Sequence, residues 1–327
     1  MARYLIRRLI LSLAMLALIS IILFSVLRIL PGDPVIARLG GAKFINQAAI
    51  DELRHSMGLD VPPIVQYFRW ISGVFTGNFG DSYANGYPVA QLIQQRLFPT
   101  FELAVAGLLF AVLFAVGFSL LSIATKKRFV KLFVDGYTVF GLSAPPFVIG
   151  ILLIVVFASL LSLLPVGGYV DPSHDLLGNL RSLLLPALTL GIAVSAPLMR
   201  YLLGSMSEVE RSLFVRTAIG KGLKRPRVVA RHIFPNGLLP ALTSLGVSVG
   251  VLLGGVVEVE FIFSWPGLGT QVLDAVFSRD YSLIQTTVLL AAAMVILSNL
   301  IVDILYGVLD PRLRIRGARS AQQPKEA

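Results

Sequence analysis

Residues 208–240 read EVERSLFVRTAIGKGLKRPRVVARHIFPNGLLP, a polar and strongly basic stretch set between long apolar segments. It carries Arg211, Arg216, Lys221, Lys224, Arg225, Arg227 and Arg231. Leu213, Phe214, Val215, Ala218 and Ile219 recur near the helical period, which predicts a helix over residues 208–221. Gly222 is placed to end that helix, and Pro226 to open a second one in its first turn. A basic helix pair inside an apolar chain is either a loop lying on lipid or a docking surface for a soluble partner. The residues around it have to separate the two.

Those surroundings are membrane-like. Of 327 residues, 56% are hydrophobic and 14% charged, against roughly 25% charged in an average soluble domain. Apolar runs at 9–30, 98–124, 131–161, 183–203, 236–258 and 282–309 are each long enough to cross a hydrocarbon core of roughly 30 Å. The expectation is an all-α polytopic membrane protein with six transmembrane helices. The first run follows Arg3, Arg7 and Arg8, is too long for a signal-peptide core, and ends at Pro31-Gly32-Asp33-Pro34 rather than a small-residue cleavage site, so it reads as an uncleaved span. Pro145, Pro146, Pro186, Pro197 and Pro240 are expected to break or kink helices. A bundle tolerates that where the freed backbone groups face protein or a water-filled path. Residues 31–96 are more polar and read as a cap on the outer face. Within it, helices are expected from Gln47 to Met57 and from Ile64 to Phe75, with loops at Gly77, Gly80, Gly86 and Pro88.

The net charge is +10. Nucleic acid binding would be one account of it, but the distribution supplies another. With six spans and the N-terminus inside, segments 1–8, 125–131, 200–235 and the C-terminal tail hold 20 of the 28 Lys and Arg residues. That is the bias of cytoplasmic loops, and it needs no nucleic acid partner.

Catalysis finds no constellation here. There are no cysteines, so disulfides and thiolate metal sites are excluded, and His55, His174 and His232 are too scattered for a metal site. Phosphate-loop, HExxH, GxSxG and paired intramembrane aspartate patterns are all absent. Asp135 and Asp303 lie in or near apolar runs and each needs a partner or water. Gly246, Gly250 and Gly254 form a small-residue face, either for packing within the chain or for a seam that slides in gating or meets a partner subunit. Ser143, Thr189, Ser195, Ser244 and Ser248 are candidates to line a path. Glu260 either faces that path or stabilises the turn after it.

The spacing of the basic stretch resembles the cytoplasmic loop of ABC-importer permeases, whose pattern is EAA, three residues, Gly, nine residues, then I-x-L-P. Arg216-Thr217-Ala218 stands at EAA, Gly222 at the Gly, and His232-Ile233-Phe234-Pro235 at I-x-L-P. Ala218, Gly222 and Pro235 match in kind, whereas Arg216, Thr217, His232 and Phe234 depart. The departures are themselves similar to the peptide/nickel subgroup, with RTA-x-x-KGL, then RH, then N-x-LLP over Arg216 to Pro240. Other stretches resemble the same subgroup: PGDP at 31–34, SAPPF at 143–147, LPALTLG at 185–191, EFIFSWPGLG at 260–269, and Asp310-Pro311-Arg312. The resemblance covers nearly the whole chain, in order, and points to the B-type permease of a dipeptide/oligopeptide importer.

That resemblance implies a type I ABC importer permease fold in the prokaryotic inner membrane, with both termini cytoplasmic and membrane lipid around it. It implies an N-terminal span at 1–30, an extracytoplasmic cap at 31–96, a transmembrane domain at 97–310 with its coupling loop at 204–235, and a cytoplasmic tail at 311–327. The implied partners are a second homologous permease, two cytoplasmic ATPase subunits and an extracytoplasmic substrate-binding protein. ATP and Mg would sit on the ATPases, and this chain would hold no cofactor and catalyse nothing. Arg216, Thr217, Ala218, Gly222, Leu223, Lys224 and Pro235 would carry the coupling. The cargo would be di- or oligopeptides, with nickel chelates, glutathione or opines as alternatives on the same architecture. From another class, an ion-coupled secondary transporter acting alone is the competing reading.

Overall fold

The computed structural model describes residues 2–29, 35, 47–125, 127–238, 252 and 255–309. Helices in chain order are α1 (Ala2–Ile29), α2 (Gln47–Ser56), α3 (Pro63–Thr76), α4 (Val89–Thr125), α5 (Arg128–Ser143), α6 (Pro146–Leu153), α7 (Leu176–Glu210), α8 (Leu213–Gly220), α9 (Arg225–Val228), α10 (255–262), α11 (Leu268–Phe277) and α12 (Tyr281–Leu309). Wider π-type turns continue α6 over Ile154–Leu160 and α9 over Val229–Ile233. The described residues contain no named strand.

Among the described residues, four helical stretches are long and apolar enough to cross a membrane: Ile6–Ile29, Val89–Thr125, Leu176–Glu210 and Tyr281–Ile301. The pair Arg128–Ser143 and Pro146–Leu160 makes a fifth if counted as one broken span. Most of the apolar run expected at 236–258 lies outside the described residues, as do the 31–34 and 310–312 motifs.

Prolines act in two different ways here. Between α5 and α6 the chain bends by 116°. Ala144 precedes Pro145 and is extended, at φ −84° and ψ 124°, because the proline ring excludes helical backbone at the residue before it. Pro145 itself is extended too, at ψ 148°. In α7, by contrast, Pro186 and Pro197, expected to break or kink the helix, do not break it: one helix of 35 residues runs through both. Most of the middle of α7 is buried in the protein, where neighbouring groups can meet the freed carbonyls.

The chain divides into two compact units. One comprises 1–10, 103–264 and 295–327. In it α4 and α7 cross closely: a Cβ on Gly107 would come within 2.8 Å of Leu190, and one on Gly191 within 2.5 Å of Phe110. Both distances are too short for any side chain, which gives the LPALTLG stretch its reason for ending in glycine. Ala115 of α4, Val134 of α5 and Leu198 and Met199 of α7 form a buried cluster. Phe114 and Phe118 stack beside it, and Tyr137 meets Phe118 edge-on with ring centroids 5.1 Å apart.

The other unit comprises 11–102 and 265–294, so the cap segment shares it with a later piece of chain. Here Trp265 is fully buried and donates its indole N–H to the Pro99 carbonyl at 2.9 Å. Thr100 Oγ1 accepts the Leu268 N–H at 2.7 Å, at the start of α11. Asp280 is buried at the start of α12. It accepts from the Ser82 hydroxyl, from the Tyr83 N–H at 2.9 Å and from the Leu283 N–H at 3.2 Å. One carboxylate thereby caps a helix and pins a loop. Phe24, Tyr67 and Trp70 form an aromatic cluster, and Ser20 shares a hydrogen bond with Tyr67 at 2.9 Å.

Candidate functional site

Residues 211–238 fold as a compact loop at the ends of α4 and α7. The expected helix over 208–221 is two pieces: α7 carries on to Glu210, and α8 begins at Leu213 after a turn at Arg211 and Ser212. The Ser212 hydroxyl takes no capping role; it donates back to the Val209 carbonyl at 2.6 Å. Without a cap or a proline, α8 starts because its inner face packs. Val215 and Ala218 are buried, with Ile123 of α4, Leu202 and Met206 of α7, and Val228, Val229 and Ile233 from the second half of the loop.

The turn at Gly222 is a Schellman motif. The Gly222 N–H donates to Ile219 O at 2.9 Å, and the Leu223 N–H to Ala218 O at 3.4 Å. Leu223 then packs on the cluster that contains Ala218, which is the apolar contact such a cap brings with it. Gly222 has φ +79°, and a Cβ there would meet nothing within 4 Å. The position therefore selects glycine through backbone conformation alone. Pro226 stands in the first turn of α9, as its spacing predicts. Immediately before Pro235 the helix widens into π-type turns at 229–233, a usual accommodation of a missing N–H. Asn236 Nδ2 donates to His232 O at 2.8 Å there.

Arg225 does something the charge pattern does not reveal. Its guanidinium donates from Nε to Ile123 O at 3.2 Å and to Ala124 O at 3.1 Å, and from Nη2 to Ile123 O at 2.6 Å and to Glu210 Oε1 at 2.8 Å. The two carbonyls lie in the last turn of α4, where intrahelical donors run out and a cation is favoured.

The outward face is mixed. Arg216, Thr217, Lys221 and Lys224 are exposed, as are Gly222 and Pro235. Beside them Leu213 is 79% exposed, Phe214 48% and Ile219 50%. The apolar stripe seen in the sequence is thus two faces: Val215 and Ala218 point in, while Leu213, Phe214 and Ile219 point out. Ala218, one of the matched motif positions, is a packing residue.

The candidate path residues are scattered. Ser143 is exposed at the end of α5. Thr189 and Ser195 are buried within α7 instead of facing open space, Thr189 bonded to Leu185 O at 2.9 Å and Ser195 to Tyr137 Oη at 2.7 Å. Glu260 is fully buried, just before the turn at 263–264. Ser244, Gly246, Ser248, Gly250 and Gly254 lie outside the described residues, and the side chain of Asp303 does as well.

A helical chain with several apolar helices long enough to span a membrane has the form of a multi-pass membrane component. Family models make this specific. Residues 107–315 match the binding-protein-dependent transport system inner membrane component, and residues 1–104 match the N-terminal region of such membrane components. A probable peptide ABC transporter permease of Sinorhizobium fredii is 38% identical over 314 residues, covering 96% of this chain and 100% of the relative. The oligopeptide transport system permease AppB of Bacillus subtilis is 35% identical over 316 residues, covering 96% and 99%. The glutathione transport system permease GsiC of Pectobacterium atrosepticum is 36% identical over 316 residues, covering 97% and 100%. The chain belongs to the binding-protein-dependent transport inner membrane component family, the type I permeases of ABC importers, and to its peptide/nickel branch. It is a non-catalytic, multi-pass component of the inner membrane, in a family whose members work with an ATPase and a substrate-binding protein.

Proposed function

We propose that the chain is one half of the translocation path of an importer for short peptides, and that residues 212–224 couple it to a cytoplasmic ATPase. The observation that carries the coupling is the outward face of α8. Leu213, Phe214 and Ile219 stay exposed although apolar side chains fill the inner face of the same helix. An apolar patch ringed by Arg216, Lys221 and Lys224 suits insertion into a groove with an acidic rim. Closure of two ATPases on bound ATP and Mg would then rock the helices above, with access alternating around a central site. This reading includes a second homologous permease, cytoplasmic termini and a lipid-bound perimeter, the cap segment 31–96 facing the binding protein, and a transmembrane domain at 97–310.

Peptide cargo is supported by the relatives, which transport oligopeptides or glutathione at nearly equal identity. Both cargoes present free carboxylate and ammonium groups on a peptide backbone. Selection would rest largely with the binding protein.

Co-purification tests the coupling. Leu213→Asp with Phe214→Ser is expected to leave the permease folded and to abolish recovery of the ATPases with it. Unchanged recovery would overturn the docking role. For cargo, proteoliposomes holding the assembled complex are given binding protein loaded with glutathione, with a dipeptide or with nickel. Uptake that needs ATP and occurs with the first two supports the reading; uptake of nickel alone rejects it.

A further inference from the structure

We propose that Arg225 is a strut that joins the docking loop to both long helices, so that a push on the loop reaches α4 and α7 together. This rests on the coupling role argued above and adds the residue that positions the loop against the helices it would drive.

Three elements converge on this side chain. Arg225 itself begins α9, just after the Gly222 turn. Its fork holds Ile123 and Ala124, more than one hundred residues earlier, in the last turn of α4. Its Nη2 also holds Glu210, the last residue of α7. A planar guanidinium is suited to this because its donors are fixed relative to one another, so gripping two carbonyls and a carboxylate fixes the orientation of all three. A lysine would supply the charge but not the fork.

The buried cluster beneath the loop supplies adhesion, but not this directionality. Apolar contacts among Ile123, Met206, Val215 and Val229 are non-directional and can slide. Four directed hydrogen bonds resist that sliding. The strut also sits at the edge of a crevice of about 470 Å³, lined by Lys131, Asp135 and Ser207 together with Ile123 and Leu203. Arg225 and Glu210 each keep between a fifth and a third of their side-chain surface. Water can therefore satisfy the freed carbonyls if the arginine is shortened, and variants at this position are expected to fold.

The chain has no cysteine, so with accessible cysteines removed from the partner subunits a spin-label pair can be installed at Thr125→Cys and Arg227→Cys in the full complex in nanodiscs. If the strut holds, the 125–227 separation is the same without nucleotide and with ATP plus vanadate, and Arg225→Gln makes it change or broaden on trapping. A separation that changes in the parent protein overturns the proposal. In parallel, Arg225→Gln is expected to lower the ratio of binding-protein-stimulated to basal ATP hydrolysis about tenfold, within the usual range for coupling between sites. Arg225→Lys is expected to recover only part of it, and Glu210→Gln, which keeps the grip on α4, most of it. A merely structural role would lower stability and both ATPase rates in proportion, leaving the ratio and the spin-label separation unmoved, and would also overturn the proposal. Crosslinking from Ile219→Cys to the ATPase separates the two claims. Loss of that crosslink in otherwise parent protein rejects the coupling role, whereas an intact crosslink with normal coupling in Arg225→Gln rejects the strut alone.

Discussion

Ser82 donates its hydroxyl to Asp280, a residue 198 positions later in the chain, and both are buried. The same carboxylate takes the N–H groups of Tyr83 and Leu283, so the cap loop and the first turn of α12 share one acceptor. Replacing Asp280 with Ala should orphan all three donors. The expected loss is about 3 kcal/mol, from a missing helix cap plus at least one unsatisfied buried donor. Asp280→Asn, which keeps one carbonyl oxygen, should lose about half of that. Hydrogen exchange over residues 80–90 checks this, since a local effect would leave 213–233 protected.

At the α4–α7 crossing, Gly107→Val or Gly191→Val should push the helices apart. Overpacking of this kind costs about 1–3 kcal/mol. The pair together should cost less than the sum of the singles, because once the helices separate both sites are relieved. Thermal unfolding of the purified permease in detergent, monitored by intrinsic fluorescence, is the measurement.

Gly222 allows backbone and contact effects to be told apart. Because a Cβ there has open space around it, Gly222→Ala should cost only about 1–2 kcal/mol of left-handed backbone strain and leave ATPase recovery intact. Gly222→Asp adds bulk and negative charge at the outward turn and should uncouple ATP hydrolysis from uptake. Equal coupling in the Asp variant and the parent would reject a contact role for this turn.

Arg216, Lys221 and Lys224 are exposed on the outer side of the loop. Changing all three to Gln should slow association with the ATPase by about tenfold at low salt and flatten its salt dependence, because rim charges act mainly on encounter. Dissociation should hardly change if Leu213 and Phe214 supply the anchor. Stopped-flow association across a salt series would distinguish this from a loss of affinity in the off-rate.

Much of this was readable in the residues, and the misses have physical causes. Apolar length located α1, α4, α7 and α12, and Gly222 and Pro226 act as their positions predict. The uninterrupted course of α7 through Pro186 and Pro197 was not readable, because whether a proline breaks a helix depends on what surrounds the freed carbonyls. Arg225 was hidden for another reason. Its charge already had a sufficient explanation in topology, and its partners at 123, 124 and 210 come together only on folding. The split of the α8 stripe was out of reach as well, since Leu213 and Val215 are equally apolar and only packing says which one is inside. Asp280 left a fair signal, an acidic residue directly before a long apolar run, of the kind that caps helices.

The length of α7 has a consequence for where chemistry can reach. The stretch from Gly204 to Glu210 follows the apolar run at 183–203 and spans roughly 10 Å at helical rise. A headgroup layer occupies only roughly 5–8 Å on each side of the hydrocarbon core. The loop folds back along this stretch, with Leu202 and Met206 against Val215 and Val229, and leaves Lys221 exposed on its outer side, so water-soluble amine reagents should label Lys221 in inside-out vesicles and a docked ATPase should shield it.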